Sequence, residues 1–220
     1  REQIGPRRYI ATLGVVFEPV KDVSISVDRW RIKRTNEITN LDITYLLANQ
    51  GAYTQYIRRD ATGSITDVDL PYVNLAGTSV QGWDVDFRGK TNLGEAGKLS
   101  YGAAATYYEH FYVQPAPDAA VEDYNGTYAQ PRLRMSARIG LETGPWTTEL
   151  SANFVGHYLN KPTPSGVCSA PLALSQYCDV KPWTTLGLFV GYKGFKNTEL
   201  SLLVDNLGDE KPPFDYRAAV

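Results

Sequence analysis

Leu133-Arg134-Met135-Ser136-Ala137-Arg138-Ile139-Gly140-Leu141-Glu142-Thr143-Gly144-Pro145-Trp146 is the stretch that decides the fold. Leu133, Met135, Ala137, Ile139 and Leu141 recur at every second position. Arg132, Arg134, Ser136, Arg138 and Glu142 occupy the positions between them. A period of two is that of a β-strand with unlike faces. Gly144-Pro145 stops the strand, and a second alternating run begins at once with Trp146.

The same rhythm extends outward in both directions. Strands are expected at Arg8–Glu18, Val23–Ile38, Tyr72–Asn92 (interrupted near Gly77), Lys98–Val113, Pro131–Thr143, Trp146–Asn160, Pro182–Lys193 and Thr198–Asn206. Short turns follow the first, third, fifth and seventh of these: Pro19–Asp22, Leu93–Gly97, Gly144–Pro145 and Gly194–Asn197. Long connections follow the second, fourth and sixth: Asn40–Asp69 with a short helix at Asp42–Asn49, Gln114–Gln130, and Lys161–Lys181. In a soluble sandwich, long and short connections mix at either end. Their strict alternation means that the two rims face different surroundings, as in outer-membrane β-barrels. Several runs also reach the roughly 9–11 residues of a tilted membrane-crossing strand. Trp30, Tyr107, Trp146, Tyr158 and Trp183 near strand ends fit interfacial girdles; ordinary core or edge packing is the plain alternative for each.

Composition agrees. The 220 residues suffice for one all-β domain, and 15 Tyr, 4 Trp and 19 Gly suit strands and turns. With 22 Lys plus Arg against 24 Asp plus Glu, the net charge of −2 argues against nucleic-acid binding. A mean hydropathy of −0.31 excludes a helical membrane protein but not a barrel. No run approaches the roughly 20 apolar residues of a membrane helix. The opening Arg1-Glu2-Gln3-Ile4-Gly5-Pro6 is no signal peptide, so the chain reads as a cut piece or a mature product. Cys168 and Cys178, in one Gly/Pro/Ser-rich loop, are expected to form a disulfide. The alternative is two free buried thiols in a cytosolic protein, and no second Cys pair supports a zinc site.

Leu200-Ser201-Leu202-Leu203-Val204-Asp205-Asn206-Leu207-Gly208-Asp209-Glu210-Lys211-Pro212-Pro213 resembles the penultimate-strand signature of TonB-dependent outer-membrane receptors, with Gly208 in place of the usual aromatic. Gly14–Pro19 followed by Val23–Ile32 is similar to a mid-barrel hairpin of that family. Tyr72–Ala76 leading to Gln81–Val85 is similar to the strand after its large loop. The resemblance implies an all-β, antiparallel up-and-down transmembrane barrel wall in the bacterial outer membrane, with short periplasmic turns and long extracellular loops. On this reading residues 1–220 are the C-terminal segment of the barrel, with plug domain, TonB box and closing strand outside the chain. Such transporters have about twenty-two strands, so eight do not close the same cylinder.

The implied function is TonB-dependent uptake of a scarce nutrient: a ferric siderophore, haem, cobalamin or an oligosaccharide. The implied partners are the TonB complex through the plug, outer-membrane lipid and lipopolysaccharide, and the small nutrient or metal-chelate ligand; no cofactor is expected. Tyr53, Tyr56, Arg58 and Arg59 are ligand candidates, because aromatics with Arg hold an anionic or aromatic chelate by stacking and charge. Packed loop residues and solvated charges are the competing reading. Arg132, Arg134 and Arg138, with Glu142, form a polar lumen wall that either meets ligand or pairs with Asp84, Asp86 or Glu149. His110 and His157 are expected to face the lumen as hydrogen-bonded wall residues, with no metal.

Enzymatic readings find no support. There is no Gly-x-Ser-x-Gly elbow, His-Glu-x-x-His pair or phosphate-binding Gly-Lys-Ser/Thr. Asp84 and Asp86 share a face, as an acid/base pair would, but read better as ion-pair partners. Two other classes compete: a self-contained eight-stranded barrel serving as adhesin or anchor, and a secreted carbohydrate-binding sandwich.

Overall fold

The computed structural model describes residues 5–41, 43–70, 72–114, 119–127, 130–161, 164, 168 and 178–215. In chain order the elements are β1 (Arg7–Val20), β2 (Val23–Asn40), α1 (Ile43–Ala48), β3 (Ile57–Arg59), β4 (Ile65–Val68), β5 (Tyr72–Asn92), β6 (Lys98–Gln114), β7 (Glu122–Asp123), β8 (Leu133–Thr143), β9 (Trp146–Val155), β10 (Tyr158–Leu159), β11 (Asp179–Val180), β12 (Trp183–Phe195) and β13 (Thr198–Val204). One antiparallel sheet runs β1-β2-β5-β6-β8-β9-β12-β13, with β7 paired to the side of β6. Each long strand pairs with the next long strand in sequence, which is up-and-down topology. No ladder joins β1 to β13 among the described residues, so the sheet is an open wall.

The expected strands lie where the alternation puts them, with local differences. β5 continues through Gly77, whose φ is +137°, and the register to β2 is kept. The sixth expected strand stops at Val155. Gly156 leaves the β9–β12 ladder and donates to the Leu133 carbonyl at 2.8 Å. The turns use residues that tolerate left-handed φ: Asp22 at +64°, Gly144 at +57° and Asn197 at +59°.

Registers across the sheet line up like with like. Val15, Val27, Val85, Ala105, Met135 and Phe154 form one cross-strand row. Phe17, Ile25, Phe87, Ala103, Ala137 and Ala152 form the next. Among the described residues nothing packs as a layer on this face. Leu13 is 78% exposed, Val15 67% and Leu202 59%. The buried hydrophobic residues among those described are Leu41, Leu46 and Val180, and all three lie off the main sheet. A water-soluble sheet hides its apolar face against a second layer. This one leaves a continuous apolar belt open, the property of a wall that lipid covers.

Rows of the opposite face are polar. Asp28, Asp84, Thr106 and Arg134 form one; Ser26, Asp86, Ala104, Ser136 and Asn153 the next; Ser24, Arg88, Gly102, Arg138 and Ser151 the third. Trp30 and Trp183 belong to this polar side, opposite Gly82 and Val155 respectively. The girdle reading is therefore corrected for both. Trp30 packs edge-on against Tyr108 with ring centroids 5.7 Å apart. A Cβ on Gly82 would lie 2.9 Å from the Trp30 ring and 2.4 Å from the Tyr107 carbonyl, so only glycine fits under that indole. Tyr107 and Trp146 do stand on the apolar side, and both are exposed.

Candidate functional site

The polar face carries two hollows. One, of about 590 Å³, is lined by Asp86, Arg88, Arg138, Glu149, Ser151 and Asn153; the other, of about 340 Å³, by Asp84, Asp86, Thr106, Arg134 and Ser136. Their floor is β6, which offers Gly102, Ala104 and Thr106. Small side chains there separate the acids of β5 from the arginines of β8. Two strand spacings amount to about 9–10 Å, too far for a direct ion pair without long side-chain reach. Accordingly Asp86 pairs with its own-strand neighbour Arg88 at 2.5 Å, and Asp84 accepts from the Thr106 hydroxyl at 2.7 Å. No ion pair joins Arg132, Arg134 or Arg138 to Asp84, Asp86 or Glu149 among the described residues. This corrects the expected pairing, and it leaves Arg134 and Arg138 facing the hollows.

At the rim of long connections, each described segment builds its own structure. The β2–β5 connection holds α1 and the β3–β4 hairpin around Leu41 and Leu46, with Tyr45, Tyr53, Tyr56, Ile57 and Val68 packed against them. Tyr53 and Tyr56 lie nearly parallel, with centroids 6.4 Å apart. Arg58 pairs with Asp69 at 3.1 Å and with Asp67 at 3.7 Å. Arg59 donates to the Gly63 carbonyl at 2.7 Å and to the Gln50 side-chain oxygen. The four loop candidates thus sit together on one small subdomain, and all four hold it in shape. Asp60 closes the hairpin. Its carboxylate accepts from the Thr62 hydroxyl at 2.6 Å and from the Thr62 and Ser64 amides at 2.9 Å, and these bonds hold its pKa below the usual carboxylate range.

A β-bulge in β6 organises the next connection. The register passes from Gly82↔Tyr108 to Gln81↔His110, so Glu109 is the extra residue. Asn125, buried, fills the gap by donating to the Tyr108 and Glu109 carbonyls at 2.7 and 3.0 Å. Asp123 accepts from the Phe111 amide at 2.9 Å and the Asn125 amide at 3.1 Å, and it contacts His110 Nδ1 at 2.6 Å. Burial works to raise the Asp123 carboxyl; the His110 contact and the two amides outweigh it and hold it below its ordinary value. The bulge also turns His110 over, opposite Gln81 on the apolar side of the sheet. Its expected lumen-facing place is corrected; no sequence pattern marked the extra residue. His157 lies 3.3 Å from Asp179 and lines a third hollow, of about 330 Å³, with Arg132, Lys161, Asn125 and Thr127.

Cys168 and Cys178 are bridged, with Cα atoms 5.8 Å apart. The amide of Asn160 donates to the Cys178 carbonyl at 2.7 Å, and the Asn160 side chain and Tyr158 hydroxyl both reach Asp215, at 2.5 and 2.7 Å. Sequence reading missed this tie between the tail and the Cys-containing connection. Most of that connection (162–163, 165–167 and 169–177) lies outside the described residues. At the corner after β13, Asn206 holds φ +53°, accepts from the Glu210 amide at 3.0 Å and donates to the Glu210 carbonyl at 2.9 Å. Only a side chain with both donor and acceptor, tolerant of left-handed φ, closes a corner this way. Among the described residues no group of three or more His, Cys, Asp or Glu is placed to hold a metal ion.

An open antiparallel wall with a bare apolar belt, a charged opposite face and long connections at one rim is the architecture of a segment of β-barrel wall. The family model for the β-barrel of TonB-dependent receptor-like proteins matches residues 11–207, and the chain belongs to that family. No curated protein sequence matches the chain. Among solved structures it is similar to the ferric enterobactin receptor PfeA of Pseudomonas aeruginosa, at 16% identity with a TM-score of 0.59 over 92% of this chain and 26% of that one. It is also similar to the siderophore receptor PirA of Acinetobacter baumannii, at 14% identity, TM-score 0.59, over 94% and 30%. The copper transporter OprC matches at 13% identity, TM-score 0.54, over 93% and 26%. These likenesses establish the fold, and the chain spans between a quarter and a third of each of those proteins.

Proposed function

We propose that this chain is a stretch of barrel wall from an outer-membrane receptor that takes up a scarce nutrient under TonB drive. The candidate ligands are ferric siderophores, haem, cobalamin and oligosaccharides. The observation that carries the reading is the two-faced open sheet: a bare apolar belt on one side and arginine-lined hollows on the other. Transport receptors are the rule in this family, and the similar solved structures named above are a ferric enterobactin receptor, a siderophore receptor and a copper transporter. In the intact receptor the apolar face meets lipid, the polar face meets lumen and plug, and the long connections are extracellular. The TonB complex engages through the plug, which lies outside residues 1–220.

Arg132, Arg134 and Arg138 are the residues we assign to ligand passage, because no carboxylate among the described residues neutralises them. An arginine fork without an ion-pair partner beside a hollow suits an anionic chelate. Tyr53, Tyr56, Arg58 and Arg59 reach a ligand only by exchanging contacts that now hold their own loop. The self-contained eight-stranded barrel needs a β1–β13 ladder that the described residues do not form.

The test uses the full-length receptor in cells with and without TonB, offered one labelled ligand from each of the four classes. One class is expected to accumulate, only with TonB present. The Arg134→Ala/Arg138→Ala double variant should weaken its binding about tenfold or more while the barrel stays in the outer membrane. Accumulation of none of the four, or equal accumulation without TonB, contradicts the reading.

A further inference from the structure

β10 and β11 form a ladder of only two register pairs, Tyr158↔Val180 and Leu159↔Asp179. A ladder that short does not hold together by itself in water. Ties from outside it make up the difference. The Cys168–Cys178 bridge closes onto the residue before Asp179. The Asn160 amide donates to the Cys178 carbonyl at 2.7 Å, and the Leu159 amide donates to the Gly126 carbonyl at 2.8 Å. The Asp215 carboxylate accepts from the Tyr158 hydroxyl at 2.7 Å and from the Asn160 side-chain amide at 2.5 Å.

These contacts join parts of the rim that are far apart in sequence. Gly126 belongs to the connection before β8, the bridge to the connection between β9 and β12, and Asp215 to the segment after β13. Asn160 is the hub. It is 0% exposed, so an N–H that loses its acceptor there finds no water in place, and the residue moves instead. The place of Cys178 therefore sets the place of Asn160, and Asn160 sets the place of Asp215. His157 and Lys161 flank the same ladder, and with Arg132 they line the hollow of about 330 Å³. Neither Cys168 nor Cys178 is fully buried, which leaves a small thiol a route to the bridge.

We propose that the Cys168–Cys178 bridge is a reducible latch: a small thiol opens it, and the β10–β11 ladder, the hollow and the Asp215 tie let go together. The chemistry is thiol–disulfide exchange with a low-molecular-weight thiol. Its thiolate attacks one bridge sulfur, the S–S bond breaks, and the other cysteine leaves as a thiolate that takes up a proton. A second thiol then cleaves the mixed disulfide. Two thiols are oxidised to one disulfide, and the bridge is reduced to two cysteine thiols. The latch is independent of the uptake reading and of the nutrient carried.

The test compares the full-length receptor in detergent in three states: oxidised, treated with millimolar glutathione, and reoxidised. Glutathione is removed before carbodiimide-driven amine labelling of the Asp215 carboxyl, and hydrogen exchange is followed in parallel. Reduction should raise Asp215 labelling about tenfold or more and speed exchange at residues 157–160 and 179–180, with residues 133–155 unchanged. Reoxidation should restore both. Cys168→Ser/Cys178→Ser should show the open-state values without any thiol. A bridge that glutathione leaves closed overturns the proposal, as does equal Asp215 labelling in the oxidised and reduced states. Faster exchange throughout residues 133–155, or no recovery on reoxidation, overturns it as well, because the bridge would then be a structural staple and not a latch.

Discussion

The main sheet and the small unit at residues 41–69 bury their apolar residues by opposite means. The sheet spreads Val15, Val27, Val85, Ala105, Met135 and Phe154 along a face that no layer among the described residues covers. The unit folds Tyr45, Tyr53 and Tyr56 around Leu41 and Leu46, which are 1% and 0% exposed. Local packing completes the second; on the proposed reading, lipid completes the first. The wall is therefore specified by pattern and register, and the loop by individual contacts.

Substitutions break this comparison most strongly at the belt. Met135→Arg should cost about 2–4 kcal/mol in a bilayer, whereas Ser136→Arg, one residue along on the polar face, should stay within about 0.5 kcal/mol. Denaturant titration of the full-length receptor in phospholipid vesicles checks both. A smaller, local loss is expected from Leu46→Ala: about 2 kcal/mol, because a core this small collapses around the gap. Hydrogen exchange should show it as faster exchange at residues 43–68 with β5 and β6 unchanged. Asn206→Ala removes two hydrogen bonds and leaves a left-handed φ, for about 1 kcal/mol of stability at the corner after β13, detectable as a shifted denaturation midpoint.

The mildest effect is one of pH. The Asp123 carboxyl is held below its ordinary value, so its bonds to His110, Phe111 and Asn125 stabilise the folded segment above the unfolded pKa. That stability is lost as pH falls through the depressed folded pKa, below about pH 4. Amide exchange at residues 122–126 should accelerate there, and Asp123→Asn should remove the dependence.

Strands and short turns were legible in the sequence because the wall follows a single rule, alternation with breakers between. Leu133–Thr143 and its turn stand where the pattern puts them, and α1 falls within the expected helix. Features that depend on one extra residue or one distant partner were not legible. The Glu109 bulge reverses His110 without altering any periodicity. The side of Trp30 was legible, because it shares the polar face with Ser24, Ser26 and Asp28 at every second position; the girdle reading passed over that alternation. The β3–β4 hairpin is too short to alternate visibly. The arginine row was read from sequence, but its freedom from Asp84 and Asp86 depends on the small residues of β6 two strands' width away. The loop candidates chosen by residue type also make contacts within their own loop, which residue type alone does not show.

Site-directed spin labels at Met135 and Ser136 of the full-length receptor in lipid test the account most directly. Collisional access to oxygen and to a water-soluble nickel chelate reports which side of β8 each label occupies. The account predicts oxygen access at 135 and chelate access at 136. The same access at both positions, or the reverse order, would contradict a wall with lipid on one face and an aqueous lumen on the other.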